Sequence, residues 1–337
     1  MTSAVASMQD RFRGALLGLA VGDALGSTLE FTRPGAFLPI TEMVGGGPFG
    51  LKPGQWTDDT SLALCLAESL VTCEKFDVRD QIERYVRWYR KGHLSSTGTC
   101  FDIGNTVAAA LRGFERTGEP LAGPIAPLTA GNGSLMRLAP VPLAFWPDAA
   151  RAIALAGESS RTTHGIVLAV DACRYFAALL VGVLQGRSKE EILRPLFDPT
   201  REGNYWAENP LAPEINAIAL GSFKEKDPPE IRGTGYVVES LEAALWAFHG
   251  AASFREGVLA AVNLGEDADT TGAVYGQLAG AYYGVGSLPA DWVAKLAMLG
   301  KIQQLADGLL VLASRVERQE PVVCEGGCGQ ELGQFTS

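Results

Sequence analysis

Alternating polar and apolar runs of the strand kind are nearly absent from this 337-residue chain, which argues against a β-rich fold. Histidine is scarce, with only His93, His164 and His249, so a histidine-rich zinc centre is excluded. There is no basic excess either. Thirty-eight acidic residues stand against 28 basic ones, and a net charge of −10 repels phosphate backbones, so no nucleic-acid partner is expected. Long apolar runs are missing. Ile166 to Val170 and Tyr175 to Leu184 are each too short to span a bilayer, and Asp171 and Arg174 separate them. Met1 to Gln9 has no basic segment followed by an apolar core, so no secretory signal or membrane partner is expected and the chain is read as cytoplasmic. The six cysteines, at 65, 73, 100, 173, 324 and 328, follow no disulfide rhythm. Cys324 and Cys328 could form half of a zinc site, but no second pair completes it, so residues 316–337 are read as a flexible tail.

What is present is helical periodicity. Phe12, Ala15, Leu16, Leu19 and Ala20 recur at spacings of three and four, as do Ile82, Tyr85, Val86 and Tyr89. Helices are expected over 9–25, 58–70, 78–91, 103–115, 133–143, 149–162, 165–185, 188–195, 236–249, 253–262, 269–283 and 290–315. Glycine and proline cluster in the breaks at 33–56, 116–132, 197–213 and 221–235. No fixed-period repeat appears, and no linker divides two composition regimes. The reading is one compact all-α domain over residues 1–315, with long loops that carry its site. A two-domain arrangement rests on length alone.

Two acidic segments open helices. Thr57-Asp58-Asp59-Thr60 is one; Glu266-Asp267-Ala268-Asp269-Thr270 is the other, about 210 residues later. Thr and Asp are favoured helix caps, so each segment alone is explained by capping. A cap needs one oxygen, however, and each segment supplies several. If the fold joins them, Asp58, Asp59, Glu266, Asp267 and Asp269 would repel one another unless cations intervened, and a dinuclear site is the economical solution.

Other motifs are weaker alone. Gly22-Asp23-Ala24-Leu25-Gly26 reads as close-packing and C-capping glycines at a helix end. Glu30, between Leu29 and Phe31, sits where apolar surroundings could raise its pKa and let it act as an acid or gate. Gly45-Gly46-Gly47-Pro48-Phe49-Gly50 has the spacing of a dinucleotide fingerprint but no preceding strand, so it reads as a loop of positive-φ positions. Backbone amides of Gly131-Asn132-Gly133-Ser134, leading toward Met136-Arg137, could cradle phosphate or ribose oxygens at a helix start, or form only a turn and cap. Gly233 and Gly235 offer the same at a second helix start, again against an ordinary loop end. His164, between helices, reads more readily as a hydrogen-bonded structural residue than as a catalyst.

In this order the motifs resemble the ADP-ribosylglycohydrolase family, over roughly residues 9 to 312. Gly22 to Gly26, Thr57 to Thr60, Gly131 to Arg137 and Asp267 to Thr270 carry the resemblance. It implies an orthogonal multi-helix fold with a metal cleft and two Mg²⁺ or Mn²⁺ ions. By resemblance the ligands are Thr57, Asp58, Asp59, Asp267, Asp269 and Thr270, with Asp267 placed to reach both ions. Gly131, Asn132, Gly133, Ser134, His164, Gly233 and Gly235 would bind ADP-ribose. Asp102 looks like the acid beside the scissile bond in bacterial arginine-type members, and Glu30 like a carboxylate held near the metals. Glu266 departs from the glycine that relatives often carry there. The implied activity is removal of ADP-ribose from a modified protein, most readily from arginine, by a monomer. A non-catalytic ADP-ribose-binding or structural protein of the same fold, or a nucleotide pyrophosphohydrolase, are the alternatives.

Overall fold

The computed structural model describes residues 6–318. Cys324, Cys328 and the expected tail from residue 319 onward lie outside the described residues. Fifteen α-helices occur among them: α1 (Met8–Gly26), α2 (Asp58–Cys73), α3 (Val78–Lys91), α4 (Asn105–Thr117), α5 (Pro140–Phe145), α6 (Ala149–Arg161), α7 (Val167–Leu184), α8 (Lys189–Ile192), α9 (Tyr205–Glu208), α10 (Pro213–Leu220), α11 (Val237–Gly250), α12 (Phe254–Val262), α13 (Ala268–Tyr283), α14 (Ala290–Lys295) and α15 (Leu299–Arg318). Among the described residues β pairing is limited to two isolated bridges, Gly46 with Leu51 and Gly131 with Tyr236.

The expected helices are present with three corrections. Residues 133–139 form turns, and the helix starts only at Pro140, which suits a first helical position. The stretch expected as one helix over 290–315 is broken at Leu296–Met298, where Met298 takes a left-handed φ of 51°, and α15 continues to Arg318. Two helices, α9 and α10, arise around a stretch read as a break.

The fold is organised on a glycine seam. Gly14, Gly18, Gly22 and Gly26, four apart on one face of α1, meet Gly280, Gly276, Gly272 and Ala268 of α13 in reverse order, so the two helices run antiparallel. A Cβ at Gly18 would lie 2.3 Å from the Gly276 carbonyl oxygen, and one at Gly22 would lie 2.0 Å from that of Gly272. No side chain fits there, which is why glycine recurs. The predicted C-capping role of Gly26 passes to Ser27, whose N–H bonds the carbonyls at the end of α1. One consequence is decisive: the C-terminal end of α1 is clamped against the N-terminal end of α13.

By length and composition α7 could cross a membrane, yet 83% of it is buried inside the fold. The two charges that divide its sequence pair with each other, Arg174 Nη1 to Asp171 Oδ1 at 2.7 Å. Asp171 Oδ2 also accepts from the Ala212 N–H at 2.8 Å. A continuous buried core runs from Phe12 to Ala313.

Candidate active site

The seam sets the acidic start of α13 beside the end of α1, and a residue inside α1 locks the other acidic segment, at the start of α2, to them. Asp23 Oδ1 accepts from the Thr57 N–H at 2.9 Å and from its hydroxyl at 3.0 Å. Asp23 Oδ2 accepts from the Thr60 N–H at 3.0 Å and its hydroxyl at 2.6 Å. Asp23 is thus the cap of α2, supplied from another helix. Thr57 makes no cap bond of its own, so Asp58 and Asp59 are not consumed in capping. Across the junction Thr57 Oγ1 lies 3.2 Å from Asp269 Oδ2, and Thr270 Oγ1 lies 3.3 Å from Asp59 Oδ1. Sequence reasoning missed Asp23 as a site residue. Its signal was a lone carboxylate in the apolar, glycine-faced run that follows Arg13.

Glu30 and Asp102 enter from two strained turns. Phe31, just after Glu30, has φ of 59°, and Asp102 itself has φ of 57°. Left-handed backbone costs a non-glycine residue about 1–2 kcal/mol, so both turns need external support. For the first it is visible: the Phe31 N–H donates to the Glu266 carbonyl at 2.6 Å, and the Glu266 N–H to the Thr32 carbonyl at 2.7 Å. The turn bearing Glu30 is therefore stitched to the turn bearing Asp267. Carboxylate oxygens of Glu30, Asp102 and Asp269 all lie within 4.8 Å of one another. The expected separation between metal ligands and proton-transfer carboxylates is thus narrower in space than in sequence.

Burial is the main cause of raised pKa values throughout this wall. It pushes Glu30 up to about 12, with the charges of Asp269 and Asp102 adding to it. It lifts Asp102 to about 7. Asp58, Asp59 and Asp269 are all raised well above the ordinary carboxylate range, first by burial and then by neighbouring carboxylates, of which Asp102 acts most on Asp58, Asp269 on Asp59 and Asp267 on Asp269. Asp59 Oδ2 and Glu30 Oε2 are buried without a hydrogen-bond partner. An all-oxygen donor set, mutual repulsion and orphaned carboxylate oxygens are what a hard divalent cation fits.

The opposite wall is assembled from glycine turns. The Asn132 N–H donates to the Gly235 carbonyl at 3.2 Å and the Val237 N–H to the Ala130 carbonyl at 3.0 Å, joining the 131–137 and 232–236 segments. Asn132 Nδ2 then donates to Asp267 Oδ2 at 2.6 Å, linking the two walls. Behind them sits Arg137, fully buried and unassigned by sequence reasoning. Its guanidinium donates to the Gly133 carbonyl at 2.6 Å, to Thr163 Oγ1 at 2.8 Å, to Tyr85 Oη at 3.1 Å and to Thr162 Oγ1 at 3.2 Å. It also lies 4.6 Å from the Tyr85 ring centroid. Thr163 Oγ1 pairs with His164 Nδ1 at 2.9 Å. Burial, aided by the Arg137 charge, pushes His164 down to about 3, so it is neutral near pH 7.

The walls enclose a cavity of about 770 Å³. Glu30, Asp58, Asp59, Asp102, Gly131, Asn132, Gly133, His164, Gly235, Asp267, Asp269 and Thr270 line it. Three expected residues do not. Thr57 lies behind the wall, held by Asp23. Ser134 points into the core, where its hydroxyl accepts from Ser160 Oγ at 2.8 Å. Gly233 packs on Thr271, whose Oγ1 would lie 2.5 Å from an added Cβ, and its carbonyl accepts from the Asp267 N–H at 2.8 Å. Gly233 thus shapes the Asp267 turn. Glu266, the departure noted in the sequence, reaches the cavity edge and is bound by Arg232.

An all-α fold with an acidic, cation-fitting wall facing a glycine-turn wall defines a class of cleft suited to a sugar–diphosphate ligand near metal ions. The chain belongs to the ADP-ribosylglycohydrolase family, which it matches over residues 4–320. It is 44% identical over 321 residues to ADP-ribosylarginine hydrolase Tri1 of Pseudomonas putida (strain GB-1), covering 93% of this chain and 81% of that protein. It is 33% identical to the ADP-ribosyl-[dinitrogen reductase] glycohydrolase of Rhodospirillum rubrum, covering 91% and 98%. A solved ADP-ribosylglycohydrolase-related protein complex superposes with a TM-score of 0.79 at 45% identity, covering 91% of this chain and 99% of the other.

Proposed function

We propose that this chain is a metal-dependent hydrolase that removes ADP-ribose from ADP-ribosylated arginine on proteins. The carrying observation is the two-walled cavity: buried carboxylates raised above their ordinary pKa on one side, glycine turns around a neutral His164 on the other. The arginine linkage is supported by the names of the relatives at 41–44% identity, both ADP-ribosylarginine hydrolases. Thr57, Asp58, Asp59, Asp267, Asp269 and Thr270 would hold two Mg²⁺ or Mn²⁺ ions, Thr57 from behind the wall. When bound, such ions supply Lewis acidity and a template for sugar hydroxyls and water.

The chain's own residues supply the rest. Gly131, Gly133, Gly235 and His164 fix the part of the ligand remote from the scissile bond, so binding there aligns C1″. Asn132, engaged with Asp267, holds the two walls in register. Asp102 and Glu30 bracket the position where a proton must move. As the bond from C1″ to the guanidinium nitrogen breaks, water oxygen bonds to C1″. The water's proton passes through these carboxyls to the departing nitrogen. Residues 1–315 act as one domain, a reading supported by the continuous core from Phe12 to Ala313.

The test incubates arginine-linked and serine-linked ADP-ribosylated peptides with Mg²⁺, Mn²⁺ or EDTA and identifies the products. Release of intact ADP-ribose from the arginine peptide, abolished by EDTA, is the expected result. AMP as product would indicate a pyrophosphohydrolase, and binding without turnover would indicate a protein that keeps only the fold.

A further inference from the structure

The glycine-rich turn Gly45–Gly50 is built under unusual constraint for a surface loop. Gly45, Gly46, Gly47 and Gly50 all take left-handed φ values, between 62° and 92°. Gly46 and Leu51 exchange backbone hydrogen bonds of 2.7 and 2.9 Å, closing a tight hairpin. The hairpin is seated on the end of α1. A Cβ at Gly47 would lie 2.0 Å from the Ser27 carbonyl oxygen, and Thr28 Oγ1 donates to the Gly45 carbonyl at 3.1 Å. Only glycine permits that approach.

At the tip, Phe49 stands between two other rings. Its centroid lies 6.4 Å from Phe31 and 5.2 Å from Phe101, both within the range of favourable edge and tilted pairs. Phe31 directly follows Glu30, and Phe101 directly precedes Asp102. Phe31 and Asp102 both take left-handed backbone, the first next to Glu30 and the second at the residue that bears the other carboxylate. The Glu30 turn has a second anchor in the bridge to Glu266. The Asp102 segment runs between helices and meets the hairpin through Phe101.

We propose that Phe49 is a positioning residue, and that the Gly45–Gly50 hairpin is a clasp holding the Glu30 and Asp102 segments at a fixed separation on the acidic wall of the cavity. The proposal rests on the reading of those carboxyls as the proton-transfer pair. No residue of the hairpin lines the cavity. The hairpin acts through the ring of Phe49 on the two neighbouring rings, and so on the backbone that aims each acid. A misplacement of about 1 Å at a reacting group costs about a hundredfold in rate, which sets the scale of the effect.

The experiment compares wild type with Phe49→Ala and Phe49→Tyr, by segment-resolved hydrogen exchange and by kcat and KM on the arginine-linked peptide. For Phe49→Ala, exchange is expected to quicken about tenfold in both 28–33 and 99–104, with 131–137 unchanged. Its kcat is expected to fall about 10- to 100-fold, with KM within about twofold. Phe49→Tyr keeps the ring and is expected to match wild type in both measurements. Exchange that quickens only in the hairpin, or a Phe49→Tyr enzyme as impaired as Phe49→Ala, would overturn the clasp. Should Phe49→Ala fail to fold, Phe49→Leu keeps the apolar bulk and must show the same two-segment acceleration. Asp102→Asn probes the underlying reading separately: full kcat in that variant would remove the proton-transfer role, while the exchange pattern would still decide the clasp.

Discussion

The two walls of the cavity are built from the same kind of element, turns at helix ends, yet their polar groups are balanced in opposite ways. On the glycine wall a buried cation, Arg137, has its donors taken by the Gly133 carbonyl and three hydroxyls, and His164 is kept neutral. On the acidic wall carboxylates crowd together, their pKa values rise, and Asp59 Oδ2 and Glu30 Oε2 find no partner. The first wall is satisfied by the chain alone. The second is not, and a polar cluster left partly satisfied weakens a fold unless something outside the chain completes it.

That contrast can be broken most forcefully on the acidic side. Asp267→Ala, or EDTA on wild type, should lower kcat/KM by about 1,000-fold, since metal assistance is worth several kcal/mol; an unaffected Asp267→Ala enzyme would sink the metal reading. Next comes the satisfied wall. Arg137→Met leaves a carbonyl and three hydroxyls short of a donor and should destabilise the protein by about 3 kcal/mol, seen as a Tm lowered by about 5–10 °C. Cation affinity measured by calorimetry should stay unchanged in any folded fraction.

Asp23→Asn tests the support behind the ligands. Asparagine offers one acceptor oxygen where the carboxylate uses two, so cation affinity should weaken about 10- to 100-fold, as for other residues that orient ligands. The smallest effect is in pH. A carboxyl raised in the folded state, such as Asp102 at about 7, favours folding while protonated. Its contribution is full below its ordinary pKa and is lost as pH climbs toward 7. EDTA-treated protein should therefore melt a few degrees lower at pH 7.5 than at pH 5, and Mn²⁺ should close that gap. His164, pushed down to about 3, has the opposite sign: its contribution is present above about 6.5 and fades as pH falls. A cation-free Tm indifferent to pH between 5 and 7.5 would contradict the unequal balance of the two walls.

Much of this was readable in the residues. Apolar spacing located most helices because buried faces dictate it, as in α3, expected and found over 78–91. Asp58, Asp59 and Asp269 stood out because each helix start carries more oxygens than a cap requires. What escaped depends on partners far along the chain. Asp23 caps a helix whose N-cap residue, Thr57, lies 34 residues later, so nothing adjacent to it signals its role. Arg137 follows a motif read for its glycines, and only the folded chain shows three segments converging on its guanidinium. Ser134 and Gly233 failed as lining residues for a related reason: motif membership fixes the backbone path, not which side of it faces the ligand.

The glycine seam has a bearing on when this enzyme comes into being. It pairs residues 14–26 with residues 268–280, a contact spanning most of the chain. Contacts so distant in sequence form late, because the intervening loop must be closed first. During synthesis α1 leaves the ribosome long before α13, its glycine face uncovered and Asp23 without the acidic turn that completes the cluster. Neither Asp267 nor Asp269 can join Asp58 and Asp59 until about 270 residues have been made. The acidic cluster therefore assembles only once α13 has begun, and a chain stalled before residue 267 lacks half of it.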